Sequence, residues 1–197
     1  MPMTKLKKDG YGQIELNRVA WSRTGRIEAQ CKLDPSEFPA DHNGQIGKVA
    51  ENGMLFAIIG EKRQLKKATA ALAAKYPIGF NYSTEHMYDE RLGGSYKHFY
   101  LHGGEDFLPR LGMPEAQDKF TLNTVCYNSD IFSAGLETVQ EELTAGRDVF
   151  AGIASDGSGY WELVKVAPKA GPIARVIEVT DMPDGQPAVK LQMIKVI

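Results

Sequence analysis

Val149-Phe150-Ala151-Gly152-Ile153-Ala154, then Ser155-Asp156-Gly157-Ser158-Gly159, then Tyr160-Trp161-Glu162-Leu163-Val164-Lys165-Val166 is the stretch on which the fold turns. Two apolar runs flank a tract of turn-forming residues, which is the signature of a β-hairpin. In the second run Trp161 and Leu163 share one phase while Val164 and Val166 occupy the other, as a bulge or a strand buried on both faces requires. Downstream, Ile173–Thr180, the loop Asp181–Pro187 and Ala188–Ile197 repeat the pattern as a second hairpin. Upstream, Met54–Ile59 follows the turn pair Asn52-Gly53 and reads as a buried strand. Strands are also expected at Ile78–Tyr82, Lys97–His102 and Lys119–Asn128, the last with Phe120, Leu122, Thr124 and Cys126 on one face. Trp21–Leu33 alternates weakly and reads as one further strand.

Helical spacing is confined to two places. Leu65, Ala68, Thr69, Leu72 and Tyr76 mark a helix between Gly60 and Pro77, whose first half could instead be extended, and Leu136, Val139 and Leu143 mark a short one between Gly135 and Gly146. Strands recurring with turns and without regular helical crossovers predict a mainly β fold. The expected body is an antiparallel sandwich or barrel-like domain with one or two short helices and an extended N-terminal arm. The boundary falls after a basic arm and loop at 1–40, leaving a β-rich body at 41–197. No internal repeat and no low-complexity tract is legible.

Composition agrees with one domain plus an extension. Of 197 residues, 43% are hydrophobic and 24% charged, which excludes a wholly disordered chain. Twenty glycines and ten prolines favour a turn-rich protein over a helical bundle. No apolar run is long enough to span a membrane, and the Met-Pro-Met-Thr-Lys-Leu-Lys-Lys start has no signal-peptide core. Two cysteines, Cys31 and Cys126, are too few for a disulfide scaffold or an all-cysteine zinc site. Net charge is −2, yet residues 1–32 carry seven basic and three acidic side chains, leaving the rest of the chain acidic. Those cations are spread out and interleaved with few aromatics, so docking on an acidic protein neighbour is the better reading and nucleic acid is disfavoured.

No strong catalytic motif is present: neither a nucleophile elbow nor a P-loop, dinucleotide fingerprint or metal helix. The nearest approach to a metal site is His98-Phe99-Tyr100-Leu101-His102 with Glu105 and Asp106, since two imidazoles and a carboxylate suit a divalent ion. Its alternative is an outward strand face with Phe99 and Leu101 inward. His42 and His86 have no such company. Cys126 lies on the apolar face of a strand and reads as a small buried hydrophobe rather than a nucleophile. Glu85, Asp89 and Glu90 beside Arg91 read as a solvated or ion-paired surface, and Asp156-Gly157-Ser158-Gly159 as a turn lacking the remaining ligands of a calcium loop. No catalytic, cofactor-binding or metal-ligating residue is assigned.

Three segments carry a resemblance: Glu51-Asn52-Gly53 with Met54–Ile59 and Gly60-Glu61; Asn81-Tyr82-Ser83-Thr84-Glu85-His86-Met87-Tyr88-Asp89-Glu90-Arg91; and Tyr100-Leu101-His102-Gly103-Gly104-Glu105-Asp106-Phe107 before the strand at Lys119–Asn128. In this order they resemble tailed-phage capsid decoration proteins, the cement or head-stabilising type, over residues 44–128. The resemblance implies a non-enzymatic virion protein on the outer capsid surface, made in the host cytoplasm, without a cofactor. Its partner would be the major capsid protein, and it would form a homo-oligomer. Residues 1–20 and the proline-containing loop 33–44 are the expected docking segments. The rival expectations are a small cytosolic metal-dependent enzyme using His98, His102 and nearby carboxylates, or a tail-tube or other virion structural subunit.

Overall fold

The computed structural model describes residues 3–6, 12–15, 20–39, 50–82, 87–88, 97–98, 100–101 and 109–195. In chain order the elements are β1 (Met3–Lys5), α1 (Ala20–Thr24), β2 (Ile27–Glu28), β3 (Lys32–Leu33), β4 (Ala50–Glu51), β5 (Leu55–Ile59), β6 (Gln64–Lys67), α2 (Ala70–Ala73), β7 (Ile78–Asn81), β8 (Met87–Tyr88), β9 (Lys97–His98), β10 (Tyr100–Leu101), β11 (Leu111–Gly112), β12 (Lys119–Leu122), β13 (Val125–Asn128), α3 (Leu136–Thr144), β14 (Phe150–Ile153), β15 (Trp161–Val164), β16 (Ile173–Asp181) and β17 (Pro187–Lys195). The fold is mainly β, built on two large sheets with short helices between their strands.

The first sheet runs β2-β11-β7-β5-β6-β3 and the second β1-β13-β15-β14-β16-β17-β12. Neither can be flat. β2 and β3 lie at opposite edges of the first sheet, five strand spacings or about 24 Å apart if flat. Glu28 and Lys32 are nevertheless joined by Ala29-Gln30-Cys31, a reach of about 14 Å at most. The sheet must curl until its edges meet, and an ion pair between Arg63, in the β5–β6 turn, and Glu28 closes the gap. The second sheet meets the same constraint, because Leu122 of β12 and Val125 of β13 are separated by Asn123-Thr124 alone. Both sheets are therefore rolled around one bent strand, β2–β3 in the first and β12–β13 in the second.

Set side by side, the two rolled sheets have one topology. In each, the first half of the bent strand pairs antiparallel with the fifth strand, β11 or β17. The second half pairs parallel with the third strand, β6 or β15. The second and third strands form a hairpin, β5–β6 or β14–β15, and the second and fourth pair antiparallel. The ladders also match in phase. Ile58 N–H donates to Pro77 and Ala68 N–H to Leu55 in the first unit, as Val176 N–H donates to Val149 and Ala154 N–H to Tyr160 in the second. Through these bonds Cys31 and Leu33 correspond to Val125 and Tyr127, Phe56 to Val149, Leu65 to Leu163, and Leu111 to Val189.

The corresponding side chains line two cores. Cys31, Phe56, Leu65 and Leu111 pack with Phe38 and Met54 inside the first unit. Val125, Val149, Leu163 and Val189 pack with Trp161 and Leu191 inside the second. The other face of β5 and β7, carrying Leu55, Ala57, Ile78 and Phe80, belongs to the second unit's cluster and joins the two. Phe80 meets Trp161 edge-on at 5.1 Å, Phe120 at 5.0 Å and Trp21 at 5.5 Å. Such ring pairs contribute about 1 kcal/mol each beyond their burial, so the join is an aromatic one. Gly112 is needed there, since a Cβ would stand 2.2 Å from the Trp21 indole nitrogen.

Both C-terminal hairpins form as expected, and α3 occupies the predicted position with Val139 buried. Four local expectations change. Trp21–Leu33 is a short helix and two half-strands rather than one strand, because Gln30 takes a left-handed φ of 62° and breaks the alternation. Lys119–Asn128 is likewise two strands, and its apolar phase flips at Asn123-Thr124, so Val125 faces the core reached by Phe120 and Leu122 while Cys126 faces the other. Of the helix expected between Gly60 and Pro77 only Ala70–Ala73, capped by the Thr69 hydroxyl, is helical; the first half takes the extended alternative, since Gln64–Lys67 is drawn into the sheet by β5 and β3. Pairing is also not purely antiparallel, as β3–β6 and β13–β15 show. β15 is buried on both faces, with Trp161 and Leu163 on one and Glu162 on the other, as one of the two readings of its phase slip had it; Val166 lies beyond it and is exposed.

Candidate functional site at the seam of the second unit

A bent strand that gives one half to the fifth strand and the other half to the third leaves a free edge on each half. In the second unit the N-terminal residues fill both. β1 runs antiparallel along β13 with Thr4 opposite Tyr127, and Leu6 N–H donates to the Val125 carbonyl at 3.0 Å. Farther on, Ile14 bridges Leu122, Glu15 N–H donates to Thr121 at 2.9 Å and Asn123 N–H donates to Gln13 at 3.3 Å. Residues 3–6 and 12–15 thus act as a strap. Ile14 is buried in the second core, and Gln13 donates through its backbone to the Asn123 side chain at 2.7 Å.

Where the strap meets the kink, the turn Glu51-Asn52-Gly53 of the first unit enters the same seam. Gly53 has φ +83°, and a Cβ there would lie 1.8 Å from Thr124 Oγ1. Gly12 is equally confined, with the Asn52 carbonyl 2.7 Å from its notional Cβ. Glycine is therefore required at both positions by close approach, and at Gly53 by backbone sign as well. Glu51 is fully buried and accepts from the Tyr160 hydroxyl at 2.6 Å. Its backbone carbonyl accepts from the Asn81 amide at 3.0 Å, and Asn81 also exchanges backbone bonds with Gly53 and Met54. Lys5 of β1 places its ammonium 4.7 Å from the Tyr160 ring centre, a cation–π contact. Thr124 Oγ1 is buried and meets no partner among the described residues.

Chemically this is a lock. A buried carboxylate is costly unless it is hydrogen-bonded, and Tyr160 supplies that bond from the second unit to the first. The Glu51 carboxylate and the Tyr160 phenol bond to each other, while the Asn81 and Asn123 amides bond to backbone groups of the turn and the strap. The arrangement fixes three parts in register: strap, first-unit turn and second-unit kink.

The residues singled out from sequence fall elsewhere. His98 belongs to β9, opposite Met87 of β8, while His42, His86, His102, Glu85, Asp89, Glu90, Arg91, Glu105 and Asp106 lie outside the described residues. No cluster able to hold a metal ion occurs among the described residues. Cys31 and Cys126 are both buried and unbridged; burial pushes the Cys31 thiol above its ordinary value. Asp156 and Ser158 form the expected turn, with Ser158 N–H donating to the Asp156 carboxylate at 2.9 Å. Nothing in the sequence pattern marks Glu51, Asn81, Asn123, Thr124 and Tyr160 as a site. Asn52-Gly53 marks the turn locally, but nothing in sequence spacing announces a contact with Thr124.

No family model, curated protein or solved structure matches this chain.

Proposed function

We propose that the chain is a structural virion protein that decorates and stabilises the outer capsid lattice of a tailed phage by binding the major capsid protein, without enzymatic activity of its own. The observation that carries this reading is the strap. The protein completes its own second unit by adding an extended segment to strand edges, and strand addition of this kind is also a way to bind a neighbouring protein. Two rolled units joined through an aromatic interface supply a stiff body, and repeated copies on a lattice turn modest contacts into high avidity. The resemblance over residues 44–128 points the same way through Glu51-Asn52-Gly53 and the strand after it, which are also the parts that lock the seam.

Residues 1–20 enter this reading in a more demanding way than as a loose arm. Met3–Lys5 and Ile14 are part of the second unit, so a deletion of 1–20 would open the body as well as remove a docking segment. The direct test is co-purification of the full chain with phage particles, with copy number measured by quantitative mass spectrometry. The expected result is a fixed, lattice-scale number of copies per particle. Absence from purified particles, with no binding of the purified chain to assembled capsids, would overturn the reading.

A further inference from the structure

The two arms of the strap reach the two partners of a bond between the units. Lys5 lies over the ring of Tyr160, and Gly12 lies against Glu51, with the Glu51 Cβ 2.8 Å from the place a Gly12 Cβ would take. Glu51 and Tyr160 are the carboxylate and phenol that tie the first unit to the second at 2.6 Å, and both are buried. Next to Tyr160 in the chain a backbone bond makes the same crossing: Leu55 N–H of β5 donates to the Gly159 carbonyl at 2.8 Å. The strap's own anchors lie in the second unit. The Leu6 and Glu15 N–H groups donate to Val125 and Thr121, Ile14 is buried in its core, and the Gln13 side chain donates to the Asp184 carboxylate at 2.7 Å.

We propose that the strap is a latch on the joint between the units: its seating in the second unit governs how strongly that unit holds the first. The physical basis is the exclusion of water. A hydrogen bond to a carboxylate is strong where water is kept out and weak where water competes for the same groups. Gly12 packs against Glu51 and Lys5 against Tyr160, so unseating the strap strips cover from both partners and weakens the bond between them. The strap is anchored in one unit yet shields a carboxylate of the other, which is why the effect passes between them. Such a coupling is reciprocal, so loosening the Glu51–Tyr160 bond loosens the strap in turn. It is a property of the free chain and stands apart from the capsid reading. A neighbour that captured the strap would thereby slacken the joint, so attachment and rigidity compete for one segment.

Residue-resolved amide hydrogen exchange on the full chain tests this, with two strap variants that leave every first-unit residue intact. Leu55 reports the joint, while Ile58, which donates to Pro77, and Val176, which donates to Val149, report the interiors of the first and second units. Ile14→Ala should speed exchange at Leu55 about tenfold more than at Ile58. Gln13→Ala removes an anchor and spares the core, and should speed Leu55 about threefold with Ile58 and Val176 unchanged. In the reverse direction Tyr160→Phe, which keeps a ring beneath Lys5, should speed exchange at the strap amide of Leu6. Exchange at Leu55 that merely follows Ile58 in both strap variants would overturn the inference, as would an unchanged Leu6 amide in Tyr160→Phe. If Ile14→Ala opens the whole second unit, Val176 accelerates along with Leu55, and Gln13→Ala then decides by the same comparison.

Discussion

The two units of this protein share a strand order, a parallel pair at the same place and a ladder phase, yet they differ at the seam. In the second unit both free edges of the bent strand are covered by residues 3–6 and 12–15, and the kink at Asn123-Thr124 is plugged by Gly53 and Gly12. In the first unit the kink at Gln30 carries an exposed residue, and no described strand lies against either free edge. In the second unit an extended segment from residues 3–6 and 12–15 completes the topology. At the first unit's kink Ala29 and Gln30 are exposed, while Cys31 beside them is fully buried.

The largest effect should come from crowding the filled seam. Gly53→Ala places a methyl against Thr124 at a positive φ, and should cost about 4 kcal/mol in urea unfolding, the range reserved for core strain. Gly60→Ala also has positive φ but meets open space, so about 1 kcal/mol is expected there. Adding Thr124→Ala to Gly53→Ala should recover part of the loss, since it removes both the clash and an orphan hydroxyl. Equal losses at Gly53 and Gly60 would break the claim that the seam is tightly filled.

Next is the strap's own anchor. Ile14→Ala removes a buried side chain and should cost about 3 kcal/mol by the same measurement. An effect below about 0.5 kcal/mol would mean that the strap is not part of the folded second unit. Tyr160→Phe withdraws the donor from buried Glu51 and should cost about 1–3 kcal/mol, with Glu51→Gln expected to soften the loss in the double variant.

The smallest effect is electrostatic and belongs to the first unit. The Ser36 hydroxyl and N–H, followed by Lys66, hold the Asp34 carboxyl below its ordinary value. A carboxylate with a depressed folded-state pKa contributes stability above its unfolded pKa and loses it as pH falls through the folded value. Asp34→Asn should therefore narrow the gap between neutral and acid melting temperatures, and leave that gap unchanged only if the turn at Asp34 is not formed.

Some of this was legible from sequence. The C-terminal hairpins were, because Ser155–Gly159 and Asp181–Pro187 are turn chemistry between apolar runs, and each hairpin is a local decision. The bent strands were not. Thr124 and Cys126 continue the even phase set by Phe120 and Leu122, so nothing local marks the flip that puts Val125 inside; that flip is imposed by pairing with β15 and β1. The repeat was hidden for a related reason: a core position demands an apolar side chain of roughly the right size. Leu65 and Leu163 agree, while Cys31 and Val125, or Phe56 and Val149, satisfy the same place with different residues. The lock at Glu51 and Tyr160 joins residues far apart in the chain, and a pair of that kind has no sequence spacing to read.

The central claim is that one topology occurs twice, with the kink of the bent strand covered by the strap in the second copy and exposed at Ala29 and Gln30 in the first. Amide exchange of the free full chain at low concentration measures it most directly. The account predicts a protected amide at Asn123, which donates to Gln13 of the strap, and faster exchange at its exposed counterpart Ala29. Comparable rates at the two would contradict it.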